Sequence, residues 1–521
     1  MNRDVTRLME HMRKEDGYAS VMQSLERLVA SHPELCDADD YREQLLALVR
    51  SSRCQRRLQN LVQQTVLSRP DLLYPPGYPL EAIQEPLDYM RRAQRAWERR
   101  LYKSLNAMSA ELGVPLARLR PPAQQQKMVE RPEEASQDEP VELERFRPVY
   151  APKDFLEVLT RVENPNHAAS SSDFLYGMVR LPLPVPDLAE LRQQFEELGS
   201  SRLQHLSMSA DLPAAGKPHL SVAQYREMLG ARLLELDDAP AAREFAKLGV
   251  PQSQRGELWC QMLGVRPDAR HTAQLEELDR AVLQHQLLAD RLVARDVQLT
   301  AGNDDQYFVF SELLRATLLR FLRHTAPLEA LTPLPGRPAR ATASGAPDTP
   351  LAYPPCGVVP FHGFSMYLAP LCFVLSDPTR LLMAFERLYS RYFVLLHTLS
   401  SRPDGIVSLS LLLERLLREH ELTLWLHCRR CRVQPLRLVF RWLVRAFSGY
   451  LRVSQLLPLW ELVLAYDSLR PLALLAAAVL AYRRASLLAA TSQQTMEAVL
   501  ADLSSIRVLP LLRAVLGRWT A

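Results

Sequence analysis

At 521 residues the chain exceeds what one hydrophobic core accommodates, so two domains are expected. Lys and Arg total 63 against 59 Asp and Glu, leaving +4, and no basic run with interleaved aromatics occurs, which speaks against a nucleic-acid partner. Only 18 Gly but 38 Pro favour helices joined by proline-bearing connections, and the fold class read from this is all-α.

Residues 1–119 read as a helical N-terminal region. "YASVMQSLERLVASH" sets Val21, Leu25 and Leu28 near one face, and the next run continues with Leu46, Val49 and Leu61. "RPDLLYPPGYP" (69–79) ends that run, and a long polar helix follows with a restart near Pro86. Its Arg/Glu-rich faces are read as meeting solvent. Residues 120–186 form a linker and extended segment: a polar, acidic stretch to 148, then "MVRLPLPVPDL" (178–188) as a strap across a surface. Connecting helices occupy 187–239. From 240 to 515 almost every segment reads as amphipathic or buried helix with no strand pattern. The exception is 331–355, rich in Pro, Ala, Gly and Thr, read as a disordered insertion. "PLALLAAAVLAY" (471–482) is apolar but too short to span a bilayer, and reads as a buried helix.

Ordinary enzyme chemistry finds little support. Neither common phosphate-loop pattern is present. "GFSMY" (363–367) begins like a nucleophile elbow, but Tyr367 stands where the second glycine is required. "HCRRC" (427–431) offers Cys428 and Cys431 beside His427 without the second pair that a zinc site needs, so both read as plain thiols. No cofactor or metal is implied, and the chain does not read as an enzyme in its own right. Seven scattered cysteines and a mixed-charge N-terminus without an apolar core fit a reducing, cytoplasmic setting.

"FAKLGVPQSQRGELWCQMLGVR" (245–266) carries Gly249-Val250-Pro251, Arg255-Gly256 and Trp259. Pro251 and Ser253 would start a helix, Arg255 would hold the turn, and Trp259 would anchor it in a core. This resembles the opening signature of the TBC domain, the all-helical domain of Rab GTPase-activating proteins. Three further blocks agree in order: "LLADRLVARDVQL" (287–299) at the I-x-x-D-x-x-R motif, "PFHGFSMYLAPLCF" (360–373) at Y-x-Q-G-M, and "LVFRWLVRAFSGYLRVSQLLPLWELVL" (438–464) at the later tryptophan helices, with Trp460-Glu461 for the W-D pair. The resemblance spans 240–515 and implies an all-helical TBC domain whose partner is a Rab-type small GTPase. Membrane association would then be peripheral, on endomembranes, through partners.

TBC domains resemble one another in supplying an arginine and a glutamine to the GTPase. The arginine neutralises charge on the transferring phosphoryl group, and the amide orients the attacking water. Matched residue by residue, the first motif becomes Val293, Asp296 and Leu299, and the second Pro360, His362 and Gly363. Leu299 therefore occupies the arginine-finger position and His362 the glutamine-finger position. A neutral imidazole keeps one donor and one acceptor, whereas leucine has neither charge nor donor. Arg295, four residues before Leu299, is the candidate substitute cation, set against its reading as part of a solvated helix face with Arg291. Two readings follow: a GTPase activator with substituted fingers, or a catalytically inactive Rab-binding scaffold or helical adaptor in membrane traffic.

Overall fold

The computed structural model describes residues 3–14, 16–32, 41–51, 54–68, 85–130, 143–165, 177–200, 204–325, 339–343 and 346–518. They fall into two compact units, Met1–Ile83 with Gln204–Arg266, and Gln84–Leu203 with Pro267–Ala521. The proline stretch 69–79 lies outside the described residues.

In the first unit, helices Arg3–Met12, Asp16–Ala30, Tyr41–Ser51 and Cys54–Ser68 are joined by Val222–Leu236, Ala239–Ala246 and Arg255–Leu263. Ser221 begins one of them with a reciprocal cap, its hydroxyl accepting from Gln224 N while Gln224 Oε1 accepts from Ser221 N. Buried Arg226 donates to Gly249 O at 2.6 Å and also to Phe245 O, which ties the loop carrying Gly249-Val250-Pro251 to its helix. A short 3-10 turn, Gln252–Gln254, leads into Arg255–Leu263. Arg255 donates back to Val250 O at 3.3 Å, and Trp259 is wholly buried.

In the second unit, the helix Asp88–Leu112 buries Met90, Gln94, Trp97, Leu101, Leu105 and Met108. Trp97 packs edge-on against Tyr150 at 5.1 Å and tilted against Phe155 at 5.7 Å. Phe146, Tyr150 and Phe155 are themselves buried, and Pro152–Leu159 is a helix. This portion of the expected linker is therefore core, because its aromatic residues outweigh the acidic, proline-bearing stretch before them. Residues 131–142 of that linker lie outside the described residues. The remaining body is built from Leu288–Leu299, Ser311–Arg323, Pro378–Arg391, Ile406–His420, Pro435–Val444, Val453–Tyr466, Arg470–Tyr482 and Val508–Arg518. Pro471 to Leu480 are all buried, which explains why that run is apolar on every face. Among the described residues no helix is long and apolar enough to cross a membrane.

Three details differ from expectation. The run after Gly363 is not an α-helix but two 3-10 turns, Phe364–Tyr367 and Ala369–Phe373; Pro370 lacks the N–H that a continuous α-helix would use. Within the stretch read as a disordered insertion, Ala339–Ala343 pairs antiparallel with Ala346–Tyr353. Pro347 and Pro350 are tolerated there because a two-stranded ribbon leaves one edge of each strand without a neighbour. The rest of 331–345 lies outside the described residues. Two more short ribbons occur, Ala117–Leu119 with His285–Leu287 and Pro213–Ala214 with Lys217–Ser221.

The extended strap is held by one buried acid. Glu414, on Ile406–His420, accepts from Met178 N at 2.8 Å, and neighbouring Arg415 donates to Val185 O at 2.7 Å. Burial pushes the Glu414 carboxyl from 4.5 up to about 7, against the pull of the Met178 and Val179 N–H groups and Arg418. The closed strap thus retains a proton that the open one releases, so opening becomes easier as pH rises from about 4.5 to about 7, then levels off. Hydrogen exchange at Met178 and Val179, corrected for intrinsic rates, is expected to rise about tenfold between pH 6 and pH 8. Glu414→Gln should flatten that dependence; an unchanged slope in the variant would exclude Glu414 as its source.

Candidate functional site

Leu288–Leu299 opens with Asp290 accepting from Leu287 N at 2.9 Å, while Arg323 pairs with the same carboxylate, a buried ion pair that fixes the helix start. Two turns later Asp296 projects into the core with 4% exposure. Its two oxygens accept from Gly363 N at 2.6 Å and Ser365 N at 2.7 Å. One carboxylate therefore folds the turn that follows His362. Burial pushes the Asp296 carboxyl up, opposed by the Gly363 and Ser365 N–H groups and by Arg445.

Gly363 adopts φ +100, a conformation that side chains rarely take, and a Cβ there would meet Arg445 Nε at 2.1 Å. Glycine is needed both for the backbone and for the space. The Arg445 guanidinium fills that space and donates to His362 O at 3.3 Å. His362 N in turn donates to Tyr150 O at 3.0 Å, and the Tyr150 and Phe361 rings stack at 5.1 Å. The imidazole remains partly open, with Nδ1 3.7 Å from Asp296 Oδ1. Burial and then the Arg445 charge hold its pKa below the ordinary 6.5 against the pull of Asp296, so it is neutral at neutral pH.

Leu299 is the last residue of its helix and is half-buried. The next residue, Thr300, meets Ser365 hydroxyl to hydroxyl at 2.7 Å, which fastens the helix end to the turn. Asp296, His362 and Gly363 are thus assembled at one place, with Leu299 adjoining them through Thr300. Arg295 is partly exposed and donates to Gln298 Oε1 at 2.6 Å, along its own helix; Arg291 lies over the Phe146 ring. Arg255 and Trp259 belong to the first unit and hold its loop and helix.

Arg445, Thr300 and the Tyr150 carbonyl escaped the sequence reading, as did the bonds that Ser365 makes to Asp296 and Thr300. Arg445 ends the helix Pro435–Val444 and precedes a left-handed pair, Ala446 (φ 47) and Phe447 (φ 64). Trp460 Nε1 donates to Ala446 O at 3.0 Å and Phe447 N to Trp442 O at 2.7 Å, which holds this uncommon turn. The one available signal was a cation at the helix C-terminus, too common a feature to single out. Cys428 of the C-x-x-C pair is buried, and burial pushes its thiol up to about 11.

The Rab-GTPase-TBC domain profile matches residues 361–488, a range that begins at the glycine turn clamped by Asp296 and takes in Arg445. The chain is also 43% identical over 484 residues to human TBC1 domain family member 19, spanning 92% of this chain and 91% of that one. The chain belongs to the TBC-domain family, that of Rab-GAP-like regulators of Rab GTPases. Among solved structures it is similar to the Chlamydomonas flagellar RabGAP TBC domain (12% identity, TM-score 0.40, 65% of this chain and 97% of that one). It is likewise similar to the Ypt/Rab-GAP domain of Gyp1p (13%, 0.40, 56% and 95%). The family assignment rests on the profile and the human relative.

Proposed function

We propose that this chain binds a Rab-type GTPase at the face formed by the end of Leu288–Leu299 and the turn at His362, and regulates it without contributing the usual finger pair. The observation that supports this most is the pairing of an intact scaffold with altered tips. The Asp296 clamp on Gly363 and Ser365 is complete, while the residues that the family resemblance sets at the two finger positions are Leu299 and His362. A leucine offers no positive charge to a phosphoryl group, so transition-state stabilisation is absent while docking is unaffected. His362, neutral and hydrogen-bonded through its backbone on both sides, keeps the shape of the turn.

The test is direct binding of the purified chain to a panel of Rab proteins, each loaded with GDP or a non-hydrolysable GTP analogue. At least one Rab is expected to bind, and Leu299→Asp should weaken that complex about tenfold by placing an unpaired carboxylate in the contact. Absence of binding by every Rab in both nucleotide states would sink the reading.

A further inference from the structure

Beyond Leu299 and His362 the two segments that carry them meet a second time. Past Leu299 the chain passes through the short 3-10 turn Ala301–Asn303 to another, Phe308–Phe310. Past His362 it passes through Phe364–Tyr367 to Ala369–Phe373. The Thr300–Ser365 contact joins the segments at one end, and the Phe310 and Phe373 rings meet edge-on at 4.8 Å at the other. Three large apolar side chains stand in solvent there: Phe308 is 56% exposed, Val309 65% and Phe373 46%. Among the described residues Val309 is the most exposed large apolar side chain.

Local bonds hold this cluster outward. Tyr307 takes the inward place, wholly buried and edge-on to Phe373 at 5.9 Å. Asp304 O accepts from both Tyr307 N and Phe308 N at 3.0 Å, and Gln306 Oε1 accepts from Val453 N at 2.8 Å. The turn is therefore pinned on either side of Phe308, and an apolar cluster fixed in water marks a contact surface. We infer that Phe308, Val309 and Phe373 anchor the switch segments of the GTPase, an inference that rests on the Rab-type partner proposed above. Continuity with the proposed face selects this occupant. Leu299 and Phe308 are nine residues apart, at most about 32 Å if fully extended, and the intervening turn shortens that. A standard interface of about 800 Å² per partner is a disc about 32 Å across, so a GTPase seated at Leu299 and His362 covers the cluster too. The family resemblance sets those two residues opposite the transferring phosphoryl group, and the segments ordered by that phosphate lie beside it. An acidic membrane is the poorer match. The exposed charges nearest the cluster along the chain are Asp305, Glu312, Asp377 and Arg380, with Arg452 next to the Val453–Gln306 bond, which leaves no cationic surplus. Apolar burial needs no charged finger, so the anchor holds a GTPase whether or not hydrolysis follows.

The test compares the full chain with Phe308→Ser/Val309→Ser in binding the Rab panel, loaded with GDP or a non-hydrolysable GTP analogue. The double variant should bind the GTP-analogue form about a hundredfold more weakly and lose preference for it over the GDP form. Its Tm should be unchanged, because both side chains are exposed. Phe373→Ser, on the other segment, should weaken the same complex about thirtyfold. Parent-like affinity in the double variant, while Leu299→Asp still weakens the complex, would overturn the anchor and leave the GTPase reading standing. A loss equal in both nucleotide states would remove the switch segments as the contact. A parent that binds no Rab in either state would take both readings down together. Self-association of the parent that the double variant abolishes, with Rab affinity unchanged, would make a second copy the occupant and overturn the inference.

Discussion

Leu299→Arg combined with His362→Gln is expected to accelerate GTP hydrolysis on a bound Rab-type GTPase by about 10³-fold over the unchanged chain, the low end of what an inserted arginine supplies. The expectation rests on how the two positions are held. Leu299 ends its helix half-buried, and the Thr300–Ser365 hydroxyl contact at 2.7 Å binds that helix end to the turn carrying His362. A guanidinium and an amide restored there would emerge side by side from a scaffold already folded. Single-turnover hydrolysis with the chain in excess reads the effect, and the single variants should each fall well short of the pair, because the arginine and the oriented water act in one step. A double variant that binds a Rab as the parent does, yet leaves hydrolysis unchanged, would show that the scaffold itself is misplaced for catalysis.

Asp296→Ala should cost about 3 kcal/mol of stability or more. The carboxylate satisfies two N–H donors, those of Gly363 and Ser365, and each left unpaired in the interior costs about 1–3 kcal/mol. The Arg445 charge would also lose its buried counter-charge, adding to the loss. Asp296→Asn should fall between, since its amide oxygen accepts one N–H while its NH2 group opposes the other. Urea unfolding gives the numbers; a loss below about 1 kcal/mol for the alanine variant would mean that the turn holds without its clamp.

Legibility in the sequence followed sequence distance. Asp296 and Gly363 were readable because their roles attach to short motifs, and Trp259 because a large aromatic in a helical pattern belongs in a core. The buried run 471–480 declared itself by being apolar all round. Arg445 and Tyr150 were not readable: their value lies in single bonds to His362 across long stretches of chain, and neither lies in a pattern pointing there. Short 3-10 turns after Gly363 were missed because an apolar run fits them and an α-helix equally, and only Pro370 hinted otherwise. The segment around Phe155 was read as linker because its acidic, proline-bearing neighbours set the local composition, while a few aromatic contacts decide where it sits.

The bond from His362 N to Tyr150 O also bears on modularity. The domain profile opens at Phe361, yet that ring stacks on Tyr150, and Phe155 packs against both Trp97 and Phe440. A fragment cut at the profile boundary would begin with an aromatic side chain stripped of its cover and a backbone donor stripped of its acceptor. The domain is consequently not a detachable cassette. Deletions, splice changes or insertions among residues 143–159 act on the His362 turn as directly as changes made within it, and any expression fragment meant to keep that turn must carry them along.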